Sequence, residues 1–257
     1  MNIAITTVIL AIFLLPGILY RRFYYTEQFS KQYVKKNFFE LFFSTLIPTI
    51  FLQSLWIFVV RIFNYRIDFS VISNLLFNRK LDLVSQNINE NYLKIIFYHI
   101  TLFIFSIIIG VIFKQIIRKY KFDRSFKILR YKNYWHYLFF GEIFDFPRTT
   151  VFLDETTDDI DFTYVSVISD TNAGVILYDG LLVDYELNKD GELEHIIISE
   201  TKRKYLSKKE VKGDYDMPGN IFIIPMKSVI NINLSFYRFD IIEIEGDKVK
   251  ITLKLIE

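Results

Sequence analysis

Apolar residues fall in long unbroken blocks in the first half of this chain and alternate with polar ones in the second. Three blocks are long enough, and free enough of charge, to cross a bilayer as helices. The first runs from about residue 3 to residue 20 and stops at Arg21-Arg22; its ~18 residues would rise ~27 Å. Pro16-Gly17 near its end predicts a kink or an early stop. The second spans about 38–63, with no charge from Leu41 to Val60 and Pro48 inside. A proline there leaves a carbonyl unbonded, which neighbouring helices can satisfy. The third spans about 95–113, with Gly110 near its inner end. Basic residues follow the first block instead of preceding it, so it reads as a retained helix, not a signal peptide. Between blocks two and three, Phe69–Phe77 (FSVISNLLF) is apolar and uncharged. It predicts a short helix in the membrane interface, a re-entrant pore helix being the sharper alternative.

From Phe162 onward the period changes to two. Strands are expected at Tyr164–Ser169, Val175–Tyr178, Leu181–Leu187, Leu193–Ser199, Asn220–Ile224, Ser228–Phe236, Phe239–Glu245 and Lys248–Ile256. Asp179-Gly180, Asp190-Gly191 and Gly246-Asp247 are the turn dipeptides between them. Short strands at this spacing suggest a small antiparallel barrel or sandwich, with a local SH3-like or Sm-like pattern over Val175 to Ser199. Ahead of them, the aromatic cluster Tyr134, Trp135, Tyr137, Phe139 and Phe140 fits a short helix that packs at the interface or onto the sheet. The expected fold is therefore α+β: a transmembrane domain over 1–132, whose stretch 114–132 is a basic helical extension, and a β-rich domain over 133–257.

Charge sharpens this picture. The net +2 of the 257 residues conceals +12 over 1–132 and −10 over 133–257. The flanks 21–37 and 114–132 together hold thirteen Lys and Arg, against three in 64–91. The positive-inside rule then puts the N-terminus outside, the 64–91 loop outside and the β-domain in the cytosol, in a bacterial inner membrane. The extension 114–132 would meet anionic headgroups, nucleic-acid binding being the sharper alternative.

Chemistry is sparse. With no cysteine, disulfides, thiolate zinc sites, iron–sulfur clusters and cysteine nucleophiles are excluded. His99, His136 and His195 are scattered, and no phosphate loop, dinucleotide fingerprint, zinc-protease helix or nucleophile elbow is present. An enzyme is not expected, nor a cofactor. The acidic run Asp154 to Asp161 reads as a solvated loop sooner than a calcium site. His195 reads as a surface strand residue. One basic patch stands out in the acidic half: Lys202, Arg203, Lys204, Lys208, Lys209 and Lys212, with Tyr205 among them. Such interleaving can hold a nucleotide or a single-stranded oligonucleotide by phosphate contact and stacking, or form an ordinary connecting loop. Within the membrane, Glu40, Gln53 and His99 are the candidates for a polar path, with Glu40 and Arg61 near enough to the ends of their span to snorkel.

The opening Phe13–Tyr33 (FLLPGILYRRFYYTEQFSKQY) resembles a class of bacterial membrane proteins with a Leu-Pro-Gly helix and a C-terminal β-domain. The overall plan also resembles membrane effectors of anti-phage systems, of the Hailong type or gated by cyclic oligonucleotides. That resemblance implies a homo-oligomeric effector or ion channel in contact with lipid, gated through the cytosolic β-domain by a nucleotide-type ligand or a partner. The alternative is a membrane-anchored adaptor whose β-domain docks a cytosolic protein without transport.

Overall fold

The computed structural model describes residues 3–33, 37–65, 67–76, 81–149, 156–172, 174–206, 215–245 and 248–256. It divides into two compact units, Met1–Lys121 and Phe122–Glu257.

The first unit is helical. Helices α1 (Ile3–Tyr24), α2 (Phe38–Ile62) and α4 (Leu81–Lys119) are each long and apolar enough to cross a membrane. The short α3 (Phe69–Leu76) covers the segment expected to be an interfacial helix. Asp68 starts α3 by accepting a bond from Ser70 N at 2.8 Å; hydrogen bonding from the Ser70 side chain first, and from its backbone N–H second, holds the Asp68 carboxyl below the usual range. α4 begins well before the apolar block, at Leu81; its 39 residues correspond to ~58 Å of helix. The basic extension is not one continued helix: α4 ends at Lys119, and Lys121 adopts a left-handed φ of 55° that breaks the run.

α1 is the middle helix, packed on α2 along one side and α4 along the other, whereas α2 and α4 touch far less. Glycines set both approaches. A Cβ on Gly17 would lie 2.3 Å from the Thr45 carbonyl oxygen of α2, and one on Gly110 would lie 2.7 Å from the Tyr20 carbonyl oxygen of α1. The outside of the bundle is apolar: Phe43, Ile47, Phe51 and Phe58 on α2 are 54–67% exposed, and Phe97, Ile100, Ile104 and Ile108 on α4 are 48–68% exposed. Water would penalise so continuous a surface of large side chains; hydrocarbon would not.

The second unit opens with α5 (Phe122–Ser125) and α6 (Tyr134–Phe139), followed by β1 (Phe162–Thr171), β2 (Gly174–Leu187), β3 (Leu193–Tyr205), β4 (Tyr215–Asp216), β5 (Phe222–Pro225), β6 (Val229–Glu245) and β7 (Lys248–Leu255). They form one antiparallel sheet in the order β4-β3-β2-β1-β6-β7, with β5 pairing a different stretch of β3. Val165, Val167, Ile196, Ile198 and Ile224 make the core, and Phe139 of α6 seals it. This is the aromatic helix packing onto the sheet.

One expected turn and one expected break between strands are absent. Asp179-Gly180 lies inside β2, and the segments read as separate strands around residue 237 are one strand, β6. At Gly180 the register slips by one residue opposite Glu200, whose φ is 50°. A Cβ on Gly180 would sit 2.6 Å from the Ser199 carbonyl oxygen, so this glycine serves a close backbone approach at a bulge and not a reversal. Asp190-Gly191 is a true turn, Gly191 having φ 85° and Asn188 Oδ1 accepting from Asp190 N and Glu192 N. The dipeptide Gly246-Asp247 lies outside the described residues.

Candidate functional site

In the helical unit the polar groups gather where Pro16 interrupts α1. Proline has no N–H to give, and its ring disturbs the turn before it. α2 repairs the damage with side chains. Gly17 N donates to Thr49 Oγ1 at 3.1 Å, the Thr49 hydroxyl donates to the Leu14 carbonyl at 3.3 Å, and Gln53 Nε2 donates to the Phe13 carbonyl at 3.3 Å. One turn before Thr49, Thr45 Oγ1 accepts from Arg21 Nη1 at 2.9 Å, and Arg21 is only 3% exposed. Thr45, Thr49 and Gln53 recur every fourth residue, which puts them on one face of α2. Gln53 therefore faces the backbone of α1. Glu40 is exposed in the first turn of α2, where a carboxylate favours the helix dipole. His99 is half-exposed on α4; its Nδ1 donates to the Ile95 carbonyl at 2.8 Å, and its ring lies against Tyr98 and Phe103. The three expected path residues thus sit in three different local settings.

The basic stretch after α4's apolar part is also engaged. Lys114 Nζ bonds Glu27 Oε2 at 2.9 Å and Thr26 Oγ1 at 2.8 Å, and the Arg118 guanidinium lies 5.4 Å from the centre of the buried Phe29 ring. These contacts fasten the 3-10 turn Glu27–Tyr33 to the end of α4.

In the sheet unit the basic patch begins on β3 and is divided by the alternation of the strand. Lys202 and Lys204 are exposed on one face; Arg203 and Tyr205 are half-buried on the other, which is the face that carries Ile198 and the core. Register then decides the company each keeps. Lys202 stands between Asp179 of β2 and Asp216 of β4, cross-strand carboxylates on either side. Arg203 stands between Tyr178 of β2 and Tyr215 of β4. Its guanidinium lies 5.5 Å from the Tyr205 ring centre and 5.9 Å from that of Tyr215. Burial pushes the Tyr178 hydroxyl above the ordinary tyrosine range, with the Arg203 charge pulling against it. Lys208, Lys209 and Lys212 lie outside the described residues. On the Lys202 face, Tyr164, Glu200, Lys202, Asp216 and Met217 line a shallow hollow of mixed charge.

A buried polar cluster at the start of the sheet unit has no counterpart in the sequence reading. Arg124 Nη2 bonds Glu142 Oε1 at 3.0 Å; Nη1 bonds Asp145 Oδ2 and donates to Thr157 Oγ1 at 3.1 Å. Thr157 Oγ1 in turn donates to Asp145 Oδ2 at 2.8 Å, and His136 Nε2 lies 3.6 Å from Glu142 Oε1. Beside it the Tyr137 hydroxyl donates to Asp123 Oδ2 at 2.9 Å, and the Arg130 guanidinium covers the Phe146 ring at 3.5 Å. The cluster draws on residues scattered over 123–157, a distance that no motif spacing encodes. Of the acidic run, Asp154 and Glu155 lie outside the described residues; Thr157 belongs to the cluster, Asp159 caps the turn at Thr156, and Asp161 Oδ2 accepts from Phe239 N at 2.7 Å. His195 pairs loosely with Glu186 at 3.9 Å across β2 and β3. Among the described residues no group of three metal-ligating side chains comes together.

No family model, curated protein or solved structure matches the chain.

Proposed function

We propose that the chain is a membrane-embedded effector. Its three long helices lodge in a bacterial cytoplasmic membrane with the N-terminus outside, and its sheet unit receives a nucleotide-type ligand or a protein partner in the cytosol. The observation that carries this reading is the apolar outside of α2 and α4, with phenylalanines and isoleucines about half to two-thirds exposed. The sheet's long strands, bulged at Gly180 and again between Leu182 and Asp184, support a curled SH3-like or Sm-like half-barrel as the receiving fold. Extraction tests the anchoring: the protein stays with membranes through alkaline carbonate and is released by detergent, and release by carbonate alone would contradict it.

The output we favour is a pore formed by a ring of protomers, in keeping with the resemblance to anti-phage effectors. His99 supports the ring: a half-exposed imidazole within an apolar span is best accommodated against another chain. A single chain turns Thr49 and Gln53 onto α1 backbone, so any water path needs several copies. That same inward use of polar groups favours the second reading, an anchored adaptor without transport. Liposome flux separates them. The pore reading predicts dissipation of an ion gradient that His99→Leu reduces; the adaptor reading predicts none.

A further inference from the structure

We infer that Arg203, framed by Tyr178, Tyr205 and Tyr215, is a phosphate-reading site, with the exposed Tyr215 ring as a stacking platform for a nucleotide base. This deepens the view of the sheet unit as the ligand-receiving part and rests on it. Lys202 and Arg203 are adjacent in sequence but opposite in role. Lys202 has a carboxylate across from it on each neighbouring strand, whereas Arg203 has a tyrosine on each side. Among the described residues no carboxylate pairs with Arg203, and its Nε is buried without an acceptor. Buried donors are nearly always satisfied, so the orphan Nε calls for an acceptor that the described residues do not supply. Ring contacts satisfy a guanidinium's charge without using its N–H groups, so the outer N–H groups of Arg203 remain to bond phosphate oxygens. Tyr215 is 49% exposed at the edge of the sheet, where a planar base can reach it. Phosphate on the Arg203 edge and base on the Tyr215 face is the arrangement expected for a nucleotide.

Calorimetry on the full-length protein in detergent tests this with three probes: ATP, pyrophosphate and adenosine. ATP and pyrophosphate bind, and adenosine binds at least about tenfold more weakly than ATP, as expected when the phosphate contact dominates. Arg203→Lys keeps the charge but loses the fork, and weakens both phosphate probes by about tenfold or more. Tyr215→Ala, at an exposed edge where it should not disturb folding, weakens ATP by about tenfold and leaves pyrophosphate unchanged. Lys202→Ala changes neither by more than about twofold, in line with an exposed charge already compensated. Absence of binding by both phosphate probes at about 1 mM, the weakest affinity worth calling a site, overturns the inference. So does equal binding by wild type and Arg203→Lys. An effect of Lys202→Ala as large as that of Arg203→Lys would move the site to the other face. Carbonate extraction of the wild type keeps the anchoring separate: failure of the wild type to bind either phosphate probe, with extraction unchanged, condemns only the site.

Discussion

Gly17 sets how close α1 and α2 can come, because any side chain there meets Thr45 and Thr49 within 2.3 Å. Gly17→Ala must push the helices apart and strip the Pro16 break of its bond from Gly17 N to Thr49. It should lower the thermal midpoint of the detergent-solubilised protein by an amount matching ~1–3 kcal/mol or more, while a Gly191→Asn control, at an open turn of positive φ, stays within ~1 kcal/mol of wild type. In the sheet unit, burial holds the Tyr185 hydroxyl up to about 12, partly offset by the bond Asn133 Nδ2 donates to it at 2.8 Å. The folded state thus keeps this proton more tightly than the unfolded chain, so the contribution is complete below pH 10 and fades as pH climbs toward 12. Tyr185→Phe should flatten the alkaline fall of the unfolding midpoint in that window, as followed by circular dichroism. An unchanged profile would mean that Tyr185 does not report on folding.

At the scale of elements, the sequence announced the three apolar helices, the aromatic α6 and most strands, because composition and period are local signals. What it could not announce depends on partners distant in the chain. Pro16 read as a kink, yet the means of tolerating it, Thr49 and Gln53, belong to another helix. Asp179-Gly180 looked like a turn because its dipeptide is a turn dipeptide, and only the approach of Ser199 shows why glycine is needed in mid-strand. The basic patch looked like one site in one dimension; pleating splits it between two faces, and cross-strand register gives carboxylates to one half and tyrosines to the other. The repair of α1 can be tested as a coupling. Thr49→Val should be costly with Pro16 present and nearly harmless in a Pro16→Ala background, where Gly17 N can return to the Phe13 carbonyl. The expected coupling in detergent unfolding is ~1 kcal/mol, and additivity would argue against the repair.

For the molecule as a whole, the junction after α4 matters most. The chain leaves a helix fit for lipid at Lys119, turns at Lys121, and within three residues places Asp123 and Arg124 in the interior of the sheet unit. Arg124 there answers two carboxylates, so Arg124→Met leaves Glu142 and Asp145 without their cation and should destabilise the sheet unit by ~3–5 kcal/mol. The check is a loss of protease resistance in the sheet fragment while the protein remains membrane-bound. The central claim, that α1, α2 and α4 cross a membrane and leave the sheet in the cytosol, is open to direct measurement because the chain has no cysteine of its own. Single cysteines introduced as Asn89→Cys, in the early part of α4, and Lys189→Cys, in the β2–β3 turn, can be treated with a membrane-impermeant maleimide on intact cells. Labelling at position 89 in intact cells, and at position 189 only after lysis, is the result predicted. Labelling of both in intact cells, the reverse pattern, or recovery of the protein in the soluble fraction would contradict it.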